Sequence, residues 1–333
     1  MCFESSYTAS VDFSIHRPRG DPPVLCLALT RPQKTMDTNL APAFVTLLAL
    51  GGQVGLPILL LTCLRSKRLN RHSTFVNCCI TSIIYSLVFC ILIYSGQYRR
   101  AEPNYALCVA QASMIMAVLP MVCVAVLMFI LQMWAAFQEP GSAIFVAFKR
   151  PYMLFILLAL PYVTFLGFLL GTILFATSRP DAVWDYNGLY CTFKQSVIAR
   201  RMGPLSCLVP ITMSATLEVV IVVQWYRRWH RVKRVFPLAV KKAHALICFR
   251  VCLFNVYTWL SIAVSISFRE TPPAIAYIIE AGIPLVAFIV FGTQEDILQA
   301  WGVRREDDPA TYDQQRVTSI VSPATEEIGP SGL

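Results

Sequence analysis

The chain is poor in charged residues and lacks the motifs that soluble enzymes use. Only 14% of its 333 residues are Asp, Glu, Lys or Arg, whereas a soluble domain carries about a quarter. It has four histidines, and phosphate-binding glycine loops, HExxH and GxSxG are all absent. We therefore expect no enzyme, no catalytic residue, no metal site and no cofactor.

A net charge of +9 could suggest a nucleic-acid-binding protein. No zinc-ligand spacing and no aromatic RNA-binding motif accompanies this charge, however. The basic residues instead concentrate between long apolar runs, as they do in the loops of membrane proteins. We therefore expect the lipid bilayer, and not a nucleic acid, to be the partner of this surface.

Long apolar runs dominate the sequence. Hydrophobic residues make up 56% of the chain, and its mean hydropathy is +0.59. A helix needs about twenty predominantly apolar residues to cross a bilayer. Seven candidate spans meet this length, at about 41–64, 73–95, 108–137, 152–176, 205–226, 244–267 and 272–292. The sequence predicts an all-α membrane protein, with the seven-transmembrane helix bundle occupying 41–292.

The distribution of basic residues predicts the orientation of the bundle. The connector from Arg227 to Lys242 has seven Lys or Arg and no acidic residue. With the amino terminus outside, the three cytoplasmic connectors contain thirteen Lys and Arg and the three external connectors contain seven. Since basic loops stay on the cytoplasmic side, we expect an N-out/C-in topology.

The two ends of the chain are polar. Residues 1–40 lack the charged segment and apolar core of a cleavable signal peptide. We expect them to be a largely disordered extracellular tail, of which 1–35 is an extension without a fold of its own. Residues 305–333 are polar and acidic, which predicts a disordered cytoplasmic tail.

A short amphipathic helix is predicted at 293–304, directly after the last span. Thr293 followed by Asp296 has the spacing of a capping box. Three apolar residues then fall on one helical face: Ile297, Leu298 and Trp301. We expect this helix to lie on the inner membrane surface.

Of the twelve cysteines, eight lie within predicted spans, where cysteine is usually a small packing residue. Cys2 and Cys26 lie in the amino-terminal tail, which leaves Cys108 and Cys191 at the external side of the bundle. A disulfide between Cys108 and Cys191 would hold the external connector 177–204 across the third span. The alternative is a pair of free thiols.

Polar side chains near the external side are candidates for ligand binding. Trp184 and Tyr186 lie in the connector 177–204, and they suit either a ligand or the membrane interface. Glu280 lies about 12 Å inside the seventh span. It could bind a ligand group or a proton, or its protonated carboxyl could bond to a neighbouring helix. Gln111 is a further candidate, although we assign Gln53, Asn77, Gln111 and Asn255 first to interhelical hydrogen bonds.

Glu218 and Arg250 are charged residues within the fifth and sixth spans. A charge in hydrocarbon needs a partner or a polar cavity. Their depths are about 12 Å and 9 Å from the inner side, so the sequence predicts a switch ion pair that joins the inner halves of these helices. The alternative is that Arg250 extends to the lipid headgroups.

With seven spans, an external cysteine pair, a basic third inner loop and an amphipathic eighth helix, residues 40–305 resemble a G-protein-coupled receptor. The third span ends in LQMWAAF, the sixth has no CWxP and the seventh has no NPxxY, so the chain does not resemble the rhodopsin class. Its ending FGTQEDILQAW is similar to receptor-like proteins of mushroom-forming fungi. Microbial rhodopsins are excluded because the last lysine, Lys242, precedes the sixth span.

The resemblance implies a plasma-membrane receptor that binds an extracellular ligand and signals to a cytoplasmic partner, a heterotrimeric G protein. The basic inner loops would form the coupling surface. Its candidate residues are Arg65, Lys67, Arg68, Arg227, Arg228, Arg231, Lys233 and Arg234. The alternative function is a small-solute transporter or channel, although the spans show no obvious internal repeat and few polar residues to line a path.

Overall fold

The structure is a computed structural model. It describes residues 40–65, 73–97, 104–136, 138, 141–148, 150–179, 183–186, 190–193, 197–235, 242–267 and 274–302. The predictions for Lys67, Arg68 and the tails 1–39 and 303–333 lie outside these residues.

Within the described residues the chain forms a bundle of seven long helices. The first span comprises α1 (Leu40–Leu48), a π-helical segment (Ala49–Gly55) and α2 (Leu56–Arg65). The other six are α3 (Ser73–Tyr94), α4 (Tyr105–Ala136), α6 (Pro151–Ser178), α7 (Val197–Val235), α8 (Lys242–Ser267) and α9 (Ala274–Gly292). Two short helices are α5 (Ala143–Phe148) and α10 (Glu295–Ala300). This confirms the prediction of an all-α, seven-helix membrane protein.

Helix α8 carries polar residues within its apolar stretch. Six spans are long and apolar enough to cross a membrane, and the described side chains of α8 add the apolar stretch Phe249–Val264. The polar residues Arg250 and Asn255 lie in this stretch. Because polar groups inside a bundle are costly unless they serve packing or binding, α8 is a natural place to look for a site.

Helix α4 forms the centre of the bundle and α6 its edge. α4 packs against α3, α6 and α7, and most of its side chains are buried. α6 buries few residues and leaves Leu166, Leu170 and Leu174 exposed. Exposed leucines suit contact with lipid, which is as apolar as a protein core.

Glycines let the first span approach α9 and α3 closely. A Cβ on Gly51 would overlap the backbone of Leu285, and one on Gly52 would overlap the side chain of Ser86. Pro284 lies within α9 at this level. Small residues at such crossings allow the backbone contact that holds membrane helices together.

Helix α7 is longer than the predicted fifth span. It begins at Val197 and reaches Val235, so the first part of the basic segment Arg227–Lys242 is helical. Arg and Lys are good helix formers, and they extend a helix beyond the membrane without an apolar requirement. The next proline is Pro237, and it disfavours helical conformation in the residue before it.

The connector between α6 and α7 contains a β-hairpin, which the sequence did not predict. Strands β1 (Val183–Tyr186) and β2 (Tyr190–Phe193) pair antiparallel, with Asp185 opposite Cys191. The end of the bundle that carries these strands is called the hairpin end below. The pairing places the backbone of the predicted loop across the top of the helices.

Helix α10 packs on the opposite end of the bundle, where the first span ends. Ile297 is fully buried in the main core, and the indole Nε1 of Trp301 donates a hydrogen bond to Thr62 Oγ1 at 2.9 Å. The predicted capping role of Thr293 is not observed. Its hydroxyl donates to the carbonyl of Ile289 at 2.8 Å, so Thr293 bonds backwards into the end of α9.

Candidate functional site

The hairpin is fixed to the bundle at two adjacent points. A disulfide joins Cys108 of α4 to Cys191 of β2, with their Cα atoms 5.2 Å apart. The buried amide of Gln111 lies one turn along α4. Its Oε1 accepts a hydrogen bond from the backbone nitrogen of Cys191 at 3.0 Å. Its Nε2 donates to the carbonyls of Val88 and Phe89 in α3, at 3.3 Å each.

Gln111 therefore has an anchoring role. Both hydrogens of its amide nitrogen are used within the protein, and an amide nitrogen has no more than two to donate. Of the two roles considered from the sequence, the geometry favours the link between elements over ligand contact. Asn77 is similar, since its Nδ2 donates to Leu158 at 3.2 Å and its Oδ1 accepts from Tyr162 at 2.7 Å.

Tyr190 extends from the hairpin into the bundle and closes it. Its ring stacks on Phe44 of the first span, with centroids 5.8 Å apart. It meets the rings of Phe89 in α3 and Tyr277 in α9 edge-on, at 5.4 Å and 6.2 Å. Aromatic contacts of this kind add to the stability supplied by burial, so the hairpin acts as a fitted cover.

Beneath this cover lies a cavity of about 70 Å³ in the middle of the bundle. Five helices contribute to its wall: α3, α4, α7, α8 and α9. The polar residues in the wall are Tyr85, Asn255, Thr258, Ser261 and Glu280. Tyr85 Oη donates a hydrogen bond to the backbone carbonyl of Glu280 at 3.1 Å, which connects α3 to α9 at the cavity.

Asn255 is the most informative residue of the wall. Only 3% of its surface is exposed. Its side chain lies beside the carboxyl of Glu218 in α7, although its Nδ2 makes no hydrogen bond of regular geometry. A poorly paired buried amide is costly, so the cavity wall holds a polar group that a bound molecule could pair.

Asn255 and Tyr85 line the cavity, but they are not among the residues that the sequence predicts to bind a ligand. The sequence predicts an interhelical hydrogen bond for Asn255, and its side chain does lie beside Glu218 of α7. Tyr85 carries no signal in the sequence, because tyrosine is common in any span. Glu280, which the sequence did single out, lies in the wall of the cavity.

The predicted ion pair is arranged differently in the structure. The carboxyl of Glu218 lies next to the side chains of Asn255 and Cys252. No ion pair joins it to Arg250 among the described residues, and Glu218 Oε1 and Arg250 Nη1 are buried without hydrogen-bond partners. Arg250 and Asn255 are about 140° apart around α8, so the helix face that presents Asn255 to Glu218 turns Arg250 away. The depths of Glu218 and Arg250 in the membrane could not predict which way each side chain faces.

For the remaining candidate residues, the structure describes some side chains and only the backbone of others. Trp184 and Tyr186 lie in β1, and only their backbone is described. Arg65 ends α2 with an exposed side chain, and Arg227 is exposed on α7 at the same end of the bundle. The others that lie on α7 are described by backbone alone: Arg228, Arg231, Lys233 and Arg234.

Comparison with known proteins adds a finding at the level of the fold. No family model and no curated protein sequence matches the chain. Among solved structures, squid rhodopsin is similar with a TM-score of 0.58, over 89% of this chain and 92% of that one. The chain has a G-protein-coupled-receptor-like fold. At 14% sequence identity the similarity concerns the fold alone, and it does not transfer ligand or partner to this receptor-like bundle.

Proposed function

We propose that the chain is a plasma-membrane receptor whose ligand binds in the central cavity and whose inner loops signal to a heterotrimeric G protein. The observation that carries this proposal is the buried amide of Asn255, which lies beside Glu218 in the wall of a cavity shared by five helices. A ligand bound there would contact most of the bundle at once. A ligand that binds one arrangement of the helices more tightly than another raises the population of that arrangement.

The orientation that this function needs is N-out/C-in. It is supported by the basic residues, which are more numerous in the connectors opposite the hairpin end. It is also supported by the disulfide at the hairpin end, since disulfides form on the oxidising side of a membrane. The cavity then lies beneath the external hairpin, and Arg65 and Arg227 face the cytoplasm.

The wall of the cavity indicates the chemistry of the ligand. Its surface is mainly apolar, with polar groups at Tyr85, Asn255 and Glu280. We expect a small, largely apolar ligand with one hydrogen-bond acceptor for the amide of Asn255. At about 70 Å³ the cavity is smaller than the roughly 300 Å³ or more of typical ligand sites. Binding therefore requires the hairpin or the helices to move apart.

The class of receptor follows from the resemblance of FGTQEDILQAW and the loops to receptor-like proteins of mushroom-forming fungi. We place the chain with that group and outside the rhodopsin class, because the third, sixth and seventh spans lack the motifs of that class. The proposed coupling uses the basic residues on α2 and α7 to meet an acidic surface of the partner.

Nucleotide exchange on a panel of Gα proteins tests the coupling. The variant replaces Arg227, Arg228, Arg231, Lys233 and Arg234 by Ala, and we expect it to lose basal exchange at unchanged surface expression. A control removes basic residues at the hairpin end, by changing Arg179, Lys194, Arg200 and Arg201 to Ala, and should keep exchange. Equal exchange in both variants, or none with any Gα for the wild type, would contradict G-protein coupling.

A ligand screen with the same readout tests the cavity. Asn255→Leu removes the donor at nearly constant volume. We expect the effective ligand concentration to rise roughly tenfold, the equivalent of one hydrogen bond to a buried group. Leu253→Ala, on the exposed side of the same helix, should leave the concentration unchanged. A ligand that acts equally on wild type and Asn255→Leu binds elsewhere.

A further inference from the structure

A second and larger cavity lies at the side of the bundle, between α6 and α7. Its volume is about 580 Å³. Both helices pack on α4, and the space between them forms a groove near the hairpin end. Its lining residues are Met116, Thr164, Gly167, Phe168, Gly171, Thr172, Phe175, Phe193, Met202 and Gly203. Among these described lining residues none is charged.

The groove has a flat wall and a fixed roof. Gly167 and Gly171 are one turn apart on α6, and a Cβ on either would meet nothing within 4 Å. The roof is the ring of Phe193, which is buried and meets Phe175 edge-on at 5.9 Å. Phe193 lies two residues after the disulfide-bonded Cys191, so the roof is held in place before anything binds.

The occupant needs no hydrogen bonds from the wall. The hydroxyl of Thr164 donates to the carbonyl of Leu160 at 2.9 Å, and that of Thr172 donates to the carbonyl of Phe168 at 2.7 Å. Both hydroxyl hydrogens are thus used within α6. The exposed leucines of the same helix face the hydrocarbon, so an apolar occupant can reach the groove directly from the bilayer.

The dimensions argue against a helix from a second copy of the chain. A helix is about 10 Å wide, and one of that width would fill 580 Å³ in about 7 Å of its length, little more than one turn. The volume lies instead in the range of about 300–1,000 Å³ that single small molecules occupy. A rigid, flat molecule also loses less conformational freedom on binding than an acyl chain does.

We propose that the groove between α6 and α7 is a binding site for one sterol molecule, whose flat ring system lies on Gly167 and Gly171 beneath Phe193. This site is separate from the central cavity and does not depend on coupling to a G protein. It does border that cavity, because Met116 and Gly203 of the groove lie one turn from Leu119 and Cys207 of the cavity wall.

Photo-crosslinking of the full chain in phosphatidylcholine nanodiscs tests the proposal. The probe is a cholesterol analogue that carries a diazirine, and labelled peptides are identified by mass spectrometry. We expect label on 164–175 or on Met202 and Gly203, reduced at least fivefold by excess unlabelled cholesterol. Gly171→Trp fills the groove and should reduce labelling at least fivefold. Leu170→Trp, exposed on the adjacent face of the helix, should retain it.

Several outcomes would overturn the proposal. One is equal labelling of Gly171→Trp and Leu170→Trp; another is labelling that excess cholesterol does not reduce. A third is saturable, groove-dependent labelling by a diazirine-bearing phosphatidylcholine with no competition from cholesterol, which would assign the groove to an acyl chain. If Gly171→Trp unfolds at a lower temperature than the wild type, Gly167→Leu replaces it, with the same expected loss of labelling.

Discussion

Gly51 and Gly167 lie in spans, but their surroundings are opposite. A Cβ on Gly51 would overlap the backbone of Leu285, whereas a Cβ on Gly167 would meet nothing within 4 Å. Backbone cannot move aside as the end of a flexible side chain can. At the scale of single residues, the atoms that surround a glycine therefore decide whether it permits a close helix contact or leaves open space.

Gly51→Ala should destabilise the protein, by about 1–3 kcal/mol or more, because an added methyl group overfills a close helix crossing. Gly167→Ala is the matched control. It should leave stability unchanged or raise it by up to about 1 kcal/mol, since alanine is the better helix former. Thermal unfolding in nanodiscs measures both. Equal shifts for the two variants would show that the contact between Gly51 and Leu285 is absent.

Gln111 is the second residue on which local structure depends. Gln111→Leu removes three hydrogen bonds and leaves the backbone nitrogen of Cys191 unpaired. We expect a loss of about 1–3 kcal/mol and faster hydrogen exchange in Tyr190–Phe193, measured by mass spectrometry. Gln138→Leu is the control, because that amide donates to the nearby carbonyl of Trp134 at the end of α4. Unchanged exchange in the hairpin would contradict the anchoring role.

At the scale of elements, α10 shows how six residues can be held firmly. It is too short to be stable alone. Its position comes from the buried Ile297 and from the hydrogen bond between Trp301 and Thr62, while Trp301 also lies near the ring of Phe288, at 6.4 Å between centroids. The helix is thus a part of the bundle and not only a segment adsorbed on lipid.

Ile297→Ala should release α10, because truncating a buried isoleucine costs about 2–4 kcal/mol. We expect the amide hydrogens of Glu295–Ala300 to exchange at least tenfold faster, as seen by mass spectrometry. Ile289→Ala makes the same truncation at an exposed position of α9 and should have little effect. Protection that survives in Ile297→Ala would mean that the membrane surface, and not the core, holds α10.

At the scale of the whole molecule, orientation is the property on which the proposed function depends. Seven spans put the two termini on opposite sides of the membrane. The basic connectors predict which side is which. Both ends of the chain are polar and tolerate short tags better than the bundle would.

An amino-terminal epitope tag should therefore bind antibody on intact cells. A carboxyl-terminal tag should bind only after the cells are made permeable. Changing Arg227, Arg228, Arg231, Lys233 and Arg234 to Glu should reduce the correctly oriented fraction, because basic residues retain a loop in the cytoplasm. Antibody binding to the carboxyl-terminal tag on intact cells would reverse the topology and remove the basis of the proposed coupling.

Sequence alone determined the number of spans and the class of fold, and it predicted the disulfide between Cys108 and Cys191 with free thiols as the alternative. These depend on properties of each segment by itself, namely its length of apolar residues and its charge. It also identified Glu280 as a polar residue within the bundle. Local patterns are enough here because lipid requires every span to satisfy its own backbone.

Only the tertiary structure decided which side chains meet. It turned Glu218 towards Asn255 and Cys252 and away from Arg250, gave Gln111 its three partners and brought Tyr190 between three spans. It also opened the groove between α6 and α7. The physical reason is rotational: depth in the membrane follows from position in the sequence, but the direction of a side chain depends on how each helix turns about its axis. Packing against the neighbouring helices sets that turn.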